Sequence, residues 1–287
     1  MSFEITTAMV QQYNDNVVLL QQQKPSRLRP CVREEGVQGE YGFFDQIDQT
    51  AAQKRTQRHG DTPLISTPHV RRRVAPTPYD WADLIDNFDR PTLITDPTSK
   101  YAVNAVAAMN RAIDDEIIAC ALATAYGGRD GTTTYAFPTS THQIAHGSAS
   151  LTITKLLTAK EILDSYENDP DEPRFLILNA KQVTNLLNTT EIKSVDYNTV
   201  KALAAGQIDT FLGFKFIRTE RLKKVSTTRS CLAWSQNSIL LGIGTDIITR
   251  VSERADKNYA TQVYVGMFIG ATRMDEKGVV EIQATET

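Results

Sequence analysis

The longest helical pattern in the sequence lies between Asp96 and Gly128, and it limits the folds that the chain can adopt. Asp96 is suited to an N-cap and Pro97 to the first helical position, while Gly127 and Gly128 fit a C-terminal stop. Apolar side chains recur between them every three or four residues, at Val103, Val106, Met109, Ile113, Ile117 and Cys120. The pattern predicts a helix over about residues 97–126, a rod of roughly 40 Å that is long for a compact domain.

The rest of the composition is that of a folded globular chain. Of 287 residues, 41% are hydrophobic and 23% are charged, which is close to globular averages and argues against wholesale disorder. The net charge of −3 argues against a protein that wraps nucleic acid with its whole surface, although it allows one local basic face. No apolar run approaches the length of a membrane helix, and the first residues lack the pattern of a signal peptide. Cys31, Cys120 and Cys231 are odd in number and widely spaced, which predicts buried thiols in a reducing compartment.

Upstream of the helix, the sequence predicts an arm and a long hairpin. The stretch "KPSRLRP" is held extended by its prolines, and its basic residues suit either phosphate or acidic contacts, or a solvated tether. Next, "VQGEYGFFDQI" and "HVRRRVAPTPYDW" are two strand-like segments on either side of a polar stretch. A two-stranded ribbon is only marginally stable alone, so we expect this hairpin to need a partner surface.

Downstream, elements of both types alternate without strict βα repetition, which predicts an α+β fold and not a doubly wound sheet. Residues 128–157 read as a polar loop. Helices are predicted at "TAKEILDSYEND", "AKQVTNLLN" and "DYNTVKALAAG", with strands at "RFLILNA", "FLGFKFIRT" and "SCLAWS". The last forty residues contain three strand-type segments, of which "TQVYVGMFIGATR" is apolar on both faces.

Three short motifs are candidate sites of chemistry. "HQIAH" places His142 and His146 four residues apart, as for a shared metal, but Gln143 stands where a zinc protease has its glutamate, so a polar loop is favoured. "IDDEI" places Asp114, Asp115 and Glu116 about 100° apart on the long helix, which favours a solvated face or salt bridges to a neighbouring subunit over paired-carboxylate catalysis.

The third motif is "VRRRV". In a strand, Arg71 and Arg73 share one face and Arg72 takes the other, which suits contacts to phosphate or to acidic groups of another subunit. No aromatic residues are interleaved with the arginines, so a nucleic-acid reader is not predicted. No catalytic motif was found elsewhere. We therefore predict no enzyme activity, no metal site and no cofactor.

Taken together, the order of these segments resembles the major capsid proteins of tailed phages, which have the Hong Kong 97 fold. The stretch from "RRRVAPTPYDW" to "RAIDDEII" is similar to that family's junction between the extended E-loop and the spine helix. "AGQIDTFLGFKFIRTERL" resembles its axial-domain segment, and "NYATQVYVGMFIGATRMDEKGVVEIQA" its peripheral-domain strands.

This resemblance implies a domain organisation for the chain. The N-terminal arm would be residues 1–35, the E-loop 36–79, the peripheral domain 80–150 with 252–287, and the axial domain 151–251. Candidate contacts between subunits are the charged residues of the two motifs above and two glycines that permit close backbone approach. They are Arg71, Arg72, Arg73, Asp114, Asp115, Glu116, Gly206 and Gly213.

It also implies a function and a set of partners. The chain would assemble with itself into hexamers and pentamers that form an icosahedral virion shell around double-stranded DNA, without sequence-specific binding and without a membrane. It would be made in the host bacterial cytoplasm and would meet a portal at one vertex. Because only a short arm precedes the E-loop, a separate scaffolding protein is expected, and a decoration protein is a further possible partner. The alternatives are an encapsulin-type nanocompartment, a metal-dependent enzyme using His142 and His146, and a DNA-binding module using Arg71–Arg73.

Overall fold

A computed structural model describes residues 22–58, 61–62, 64–85, 98–166, 168–169, 171–188 and 210–286. The strands upstream of the long helix are β1 Arg33–Gly36, β2 Gly42–Ile47, β3 His69–Val74 and β4 Thr77–Ile85. They are followed by α1 Thr98–Leu122, β5 Ala125–Gly127, β6 Thr133–Tyr135, α2 Thr139–His142, β7 Gln143–Ile144, α3 Ile153–Asp164, β8 Arg174–Leu178 and α4 Ala180–Leu187. The remaining strands are β9 Thr210–Phe211, β10 Phe214–Arg218, β11 Lys224–Val225, β12 Thr228–Ser235, β13 Ile239–Arg254, β14 Ala260–Arg273 and β15 Val279–Thr285.

The elements mix helices and strands as the α+β prediction requires. The predicted N-cap Asp96 with Pro97, the predicted helix "DYNTVKALAAG" and Gly206 lie outside the described residues. Within the described part of the chain, no helix is long and apolar enough to cross a membrane. The chain divides into two compact units, and α1, β13 and β14 each contribute residues to both.

The first unit contains residues 1–26, 77–113 and 245–269. In it β4 pairs antiparallel with β14, from Thr77 opposite Ile269 to Ile85 opposite Thr261. Alternate residues of β14 are buried, with Val263, Val265 and Met267 on one face, as expected for a sheet packed on one side. The arm contacts α1 in this unit, because Arg111 Nη1 donates to Gln22 Oε1 at 2.8 Å.

The second unit contains residues 27–76, 114–244 and 270–287. Its main sheet has the order β7-β15-β12-β8-β10-β9, with β11 paired to β12. Strand β8 runs parallel to β10 and antiparallel to β12, and all five of its residues are buried. Trp234 in β12 is fully buried and donates its indole N–H to the carbonyl of Cys31 at 3.0 Å.

The last strand belongs to this same sheet. β15 pairs antiparallel with β12 over seven residues, from Thr228 opposite Thr285 to Trp234 opposite Val279. The proposed domain map groups residues 252–287 with the peripheral domain and residues 151–251 with the axial domain, so β15 and its partner β12 fall on different sides of that map. The domain boundaries themselves stay predictions.

The helix α1 is shorter than predicted at its C-terminal end, because it stops at Leu122 and not near residue 126. Gly127 lies in β5 instead of ending the helix. The last carbonyls of the helix region are satisfied by a buried side chain, since Arg273 Nη1 donates to the oxygens of Ala121 at 2.9 Å and Ala123 at 2.7 Å. Of the predicted apolar face, Met109, Ile113, Ile117 and Cys120 are buried, whereas Val106 is half-buried and Val103 is 45% exposed.

The polar stretch 128–157 is more structured than predicted, since it contains β6, α2, β7 and the start of α3. The predicted strand "FLGFKFIRT" is a tight hairpin of β9 and β10. Its two turn residues, Leu212 and Gly213, both have positive φ, of 54° and 86°. Such a turn needs a residue that tolerates left-handed backbone, which accounts for Gly213.

Candidate functional site

The most organised polar cluster of the second unit lies at the base of the β2–β3 hairpin. The two strands pair antiparallel as the sequence predicts, from Gly42 opposite Val74 to Ile47 opposite His69. The other edge of β3 pairs with β5, which pairs in turn with β6. The hairpin therefore begins from a four-stranded sheet, while the described residues between Asp48 and Pro68 contain no helix or strand.

Arg72 anchors β3 to the loop between β14 and β15. It is only 3% exposed, its Nε donates to the carbonyl of Met274 at 3.1 Å, and its Nη2 donates to Glu276 Oε2 at 2.7 Å. The guanidinium lies 3.6 Å from the ring centre of Tyr135 in β6. A buried arginine with a carboxylate partner and an aromatic ring on its face keeps its charge compensated.

A second buried arginine completes this cluster. Arg273 is fully buried, its Nη2 donates to the carbonyl of Tyr135 at 2.9 Å, and its Nε lies 3.7 Å from Glu276 Oε1. Burial lowers the pKa of Arg273, and the charge of Glu276 opposes that shift. One carboxylate thus serves two arginines, and the cluster joins the end of α1, the β6 strand, the hairpin and the β14–β15 loop.

The opposite face of β3 carries exposed arginines, as the alternation in the sequence predicts. Arg71 forms a two-point ion pair with Asp45, whose shorter contact is 2.6 Å, and it lies 5.6 Å from the ring of Phe43. The Arg71 guanidinium lowers the pKa of Asp45. The Arg73 guanidinium lies 4.7 Å from the ring centre of Tyr41 and 5.0 Å from that of Tyr126.

The sequence alone does not indicate these aromatic partners. None of them stands within "VRRRV", because they come from β5, β6 and the segment before β3 in the sequence, and only strand pairing brings them to the arginines. The spacing of Arg273 and Glu276, three residues apart, is a signal that sequence reasoning could have used for the buried cluster.

Two of the three acidic residues of α1, Asp114 and Asp115, have separate surroundings. Asp114 is fully buried, and its carboxylate accepts the backbone N–H groups of Arg27 and Leu28 at 3.1 Å. Asp115 forms an ion pair with Arg221. The carboxylates of Asp114 and Asp115 are therefore used within their own chain, as is the guanidinium of Arg72, and contacts of the eight candidate residues with a neighbouring subunit stay a prediction.

The two histidines of "HQIAH" do not converge. His142 ends the one-turn helix α2, is buried, stacks on Tyr166 at 5.2 Å and has its Nδ1 2.8 Å from Thr141 Oγ1. His146 follows β7, and its Nδ1 accepts the backbone N–H of Ser148 at 3.0 Å. No group of three or more metal-ligating side chains occurs among the described residues.

The loop around His146 is held by a lysine. Lys155 Nζ donates to the backbone carbonyls of His146, Ala149, Ser150 and Gln283, at 2.8 to 3.1 Å. Burial lowers the pKa of this ammonium group. The ammonium group holds the four carbonyl oxygens around one point and so fixes the shape of the loop.

The cysteines are buried free thiols, as predicted. Burial raises the pKa of Cys31 and of Cys231 to about 12, and it also raises the pKa of Cys120. Thiols with raised pKa values are poor nucleophiles. Their role in this chain is to fill the core.

The chain and its fold are similar to those of known proteins of one family. A model of phage capsid proteins matches residues 5–286 of the chain. Among solved structures, the capsid of Ralstonia phage GP4 has a TM-score of 0.76 at 11% identity, covering 96% of this chain and 95% of that chain. The capsid of cyanophage P-SCSP1u has a TM-score of 0.75 at 14% identity, covering 98% of this chain and 94% of that chain. The head structure of Helicobacter pylori bacteriophage KHP40 has a TM-score of 0.73 at 10% identity, covering 99% of this chain and 98% of that chain. No curated protein sequence is significantly similar to the chain.

Proposed function

Because the chain belongs to the phage capsid protein family, we propose that it is the major capsid protein of a tailed phage. The observation that carries this proposal is the family match, which extends over residues 5–286, together with a fold shared with phage capsids over nearly the whole chain. The family resemblance and the α+β capsid fold expected from the sequence are thereby confirmed. In this role the chain forms hexamers and pentamers that close into an icosahedral shell around double-stranded DNA.

The hairpin supports self-assembly on physical grounds. Its base is fixed by the buried cluster of Arg72, Glu276 and Arg273. Farther out, large apolar side chains are exposed, with Ile47 at 68%, Leu64 at 95% and Ile65 at 46%. A segment that exposes apolar groups and has little core of its own gains stability by lying on another subunit.

The remaining partners follow from the same proposal. A portal occupies one vertex, a separate scaffolding protein directs closure, and a decoration protein is a further candidate partner. The chain is made in the host cytoplasm and becomes part of the virion head. DNA is enclosed without sequence-specific contacts, which agrees with a net charge of −3 and basic residues confined to local faces.

Recombinant expression followed by negative-stain electron microscopy and light scattering tests the proposal. We expect shells, tubes, or rings of five and six subunits. Uniform small shells that are filled with a second protein and contain no DNA would instead support the encapsulin alternative. A chain that stays monomeric with its scaffolding protein co-expressed would contradict both.

A further inference from the structure

Strand β13 has an edge that no other strand covers beyond residue 243, within the described part of the chain. In its sheet β13 lies between β1 and β14. β1 pairs with it only at residues 240–243, whereas the strand continues to Arg254. Residues 245–254 on the side away from β14, here called the open edge, belong to the first unit. A row of uncovered backbone donors and acceptors is a template for pairing with another strand.

The alternation of the backbone shows which groups face the open edge. The carbonyl of Ile243 accepts the N–H of Val37 at 2.9 Å, so Ile243 directs its backbone groups to the side of β1. Every second residue of a strand faces the same side. The residues facing the open edge are therefore Thr245, Ile247, Thr249 and Val251. The N–H of Ile247 is accepted by Oδ1 of Asp246 at 2.8 Å, so a neighbouring side chain, and not a strand, takes this donor.

The side chains of the open edge are exposed and include large apolar groups. Ile248 is 40% exposed and Val251 is 52% exposed. Ile248 and Arg250 lie on one face of the sheet, where they line an open groove of about 340 Å³ with Tyr264 of β14. Among the described residues, Arg250 has no hydrogen bond or ion pair. This face of the edge thus combines an apolar centre with an arginine that lacks a carboxylate partner.

The other charges of this face are paired or lie away from the edge. Arg254 forms an ion pair with Asp256 at 2.6 Å. Asp80 belongs to β4, which is separated from β13 by β14, and it accepts a hydrogen bond from a hydroxyl group of β14. Asp246 and Arg250, four residues apart, therefore have opposite charges on the same face and at the open edge itself.

This order of charges is complementary to itself in one register. When two copies of a strand pair antiparallel about a two-fold axis normal to the sheet, opposite residues share a face. Centred on Ile248, such a pair sets Asp246 of each copy opposite Arg250 of the other, and the two isoleucines opposite each other. Registers centred on Asp246 or Arg250 oppose like charges. The charge pattern of the edge therefore selects a second copy in the register centred on Ile248.

The backbone pattern places the charged pairs where side chains come closest. Ile247 opposite Thr249, and Thr245 opposite Val251, form hydrogen-bonded pairs, because these residues face the open edge. The residues between them form non-hydrogen-bonded pairs, whose Cα atoms are only about 4.5 Å apart. The central isoleucines and the two charged pairs all fall at these close positions.

We propose that the open edge of β13 pairs antiparallel with the open edge of a second copy of this chain, in the register centred on Ile248. The inference rests on the proposed assembly function and adds one contact between subunits. A two-fold contact joins only two copies, whereas a ring needs a contact that each copy continues to the next. The paired edges therefore link a subunit of one ring to a subunit of a neighbouring ring.

Disulfide trapping with a single substitution tests the register. In Ile248→Cys the two thiols meet at the axis, with Cα atoms at a distance that a disulfide spans. After mild oxidation of assembled particles, we expect most subunits to migrate on a non-reducing gel at twice the mass of 31.9 kDa. Ser252→Cys is the matched control on the same face, because its two copies lie eight residues apart along the strands, roughly 27 Å, and should stay monomeric. The natural cysteines are buried, so the unmodified chain should also stay monomeric.

Exchange of the two charges tests the complementarity separately. We expect Arg250→Asp to reduce the yield of shells about tenfold or more, because aspartates then face each other across the axis. Combining Asp246→Arg with Arg250→Asp restores opposite charges in the same register and is expected to restore the yield. Circular dichroism of each variant checks that the subunit is folded.

The outcomes separate this inference from the function on which it rests. Assembled Ile248→Cys particles whose subunits stay monomeric on the gel would overturn the pairing and leave the capsid function standing. A dimer from Ser252→Cys, or a loss in Arg250→Asp that the exchanged charges do not restore, would also overturn it. An unmodified chain that never assembles with its scaffolding protein would refute the capsid function, and Ile248→Cys dimers of that chain would support the pairing alone.

Discussion

Two neighbouring arginines of β3 have similar ion pairs in very different surroundings. The side chain of Arg72 is 4% exposed and shares Glu276 with the fully buried Arg273, whereas Arg71 and its partner Asp45 are 41% and 64% exposed. Removing one member of a buried pair leaves an uncompensated charge, while an exposed pair exchanges its partner for water. Position in the strand, and not residue type, decides how much each ion pair contributes to the stability of the subunit.

Glu276→Gln is therefore expected to destabilise the subunit by roughly 3 kcal/mol, since two buried arginines lose their only described carboxylate partner. The matched control is Asp45→Asn, for which we expect little change because that pair is solvated. Urea unfolding of the unassembled subunit measures both. Equal midpoint shifts for the two variants would contradict the assignment of the cluster as the anchor of the hairpin.

His142 gives the subunit a predicted sensitivity to acid. Its pKa is lowered by burial, with Arg273 adding to the shift and Asp275 opposing it. In the unfolded chain His142 takes up a proton near its ordinary pKa of 6.5, whereas in the folded chain it does so only at lower pH. The contribution of the neutral ring to stability is therefore complete above pH 6.5 and is lost as the pH falls below 6.5.

We expect the melting temperature of the subunit to fall between pH 7.5 and pH 5 by less in His142→Gln than in the unmodified chain, since histidine titrates in this range. His146→Gln, which changes a more exposed ring, serves as the control for replacing a histidine by glutamine. Identical pH profiles for the unmodified chain and His142→Gln would show that the buried ring does not contribute.

For the helices and strands, the sequence predicts the type of an element better than the residue at which it ends. The spacing of Met109, Ile113 and Ile117 correctly indicates α1, and the alternation of "VRRRV" correctly separates Arg72 from its neighbours. The end of α1 was predicted wrongly because Gly127 is read locally as a helix stop. The glycine at position 127 is instead required by the tertiary structure, because β5 pairs with β3 at this point.

The candidate site was predicted only in part for a similar reason. Alternation within one strand is a local property, so the two faces of β3 could be read from the sequence. The rings of Tyr126 and Tyr135 come from strands more than fifty residues downstream, and their pairing with β3 depends on the fold. Contacts of this kind leave no periodic signal in the sequence.

Gly127 makes the closest approach at the β3–β5 pairing. A Cβ there would lie 2.0 Å from the backbone oxygen of Arg71, which cannot move without breaking the strand pairing. Gly127→Ala is expected to destabilise the subunit by roughly 2–4 kcal/mol and to weaken protection of the β3 amides from hydrogen exchange. Gly36→Ala in β1, where nothing lies within 4 Å of the added methyl, is the control and should have little effect.

In the whole molecule, the proposed capsid function depends on the geometry of the contacts between subunits. The buried cluster fixes the base of the hairpin, and the exposed faces on either side of it are available to other subunits. A shell that is closed by many copies needs only modest contacts in each, because every subunit repeats them around a ring.

Native mass spectrometry of the purified protein, recorded under conditions in which shells disassemble, tests the central claim most directly. We expect discrete species at five and six times the subunit mass of 31.9 kDa, since one chain must form both kinds of ring. Only monomers and dimers, from a chain co-expressed with its scaffolding protein, would contradict the proposed capsid function.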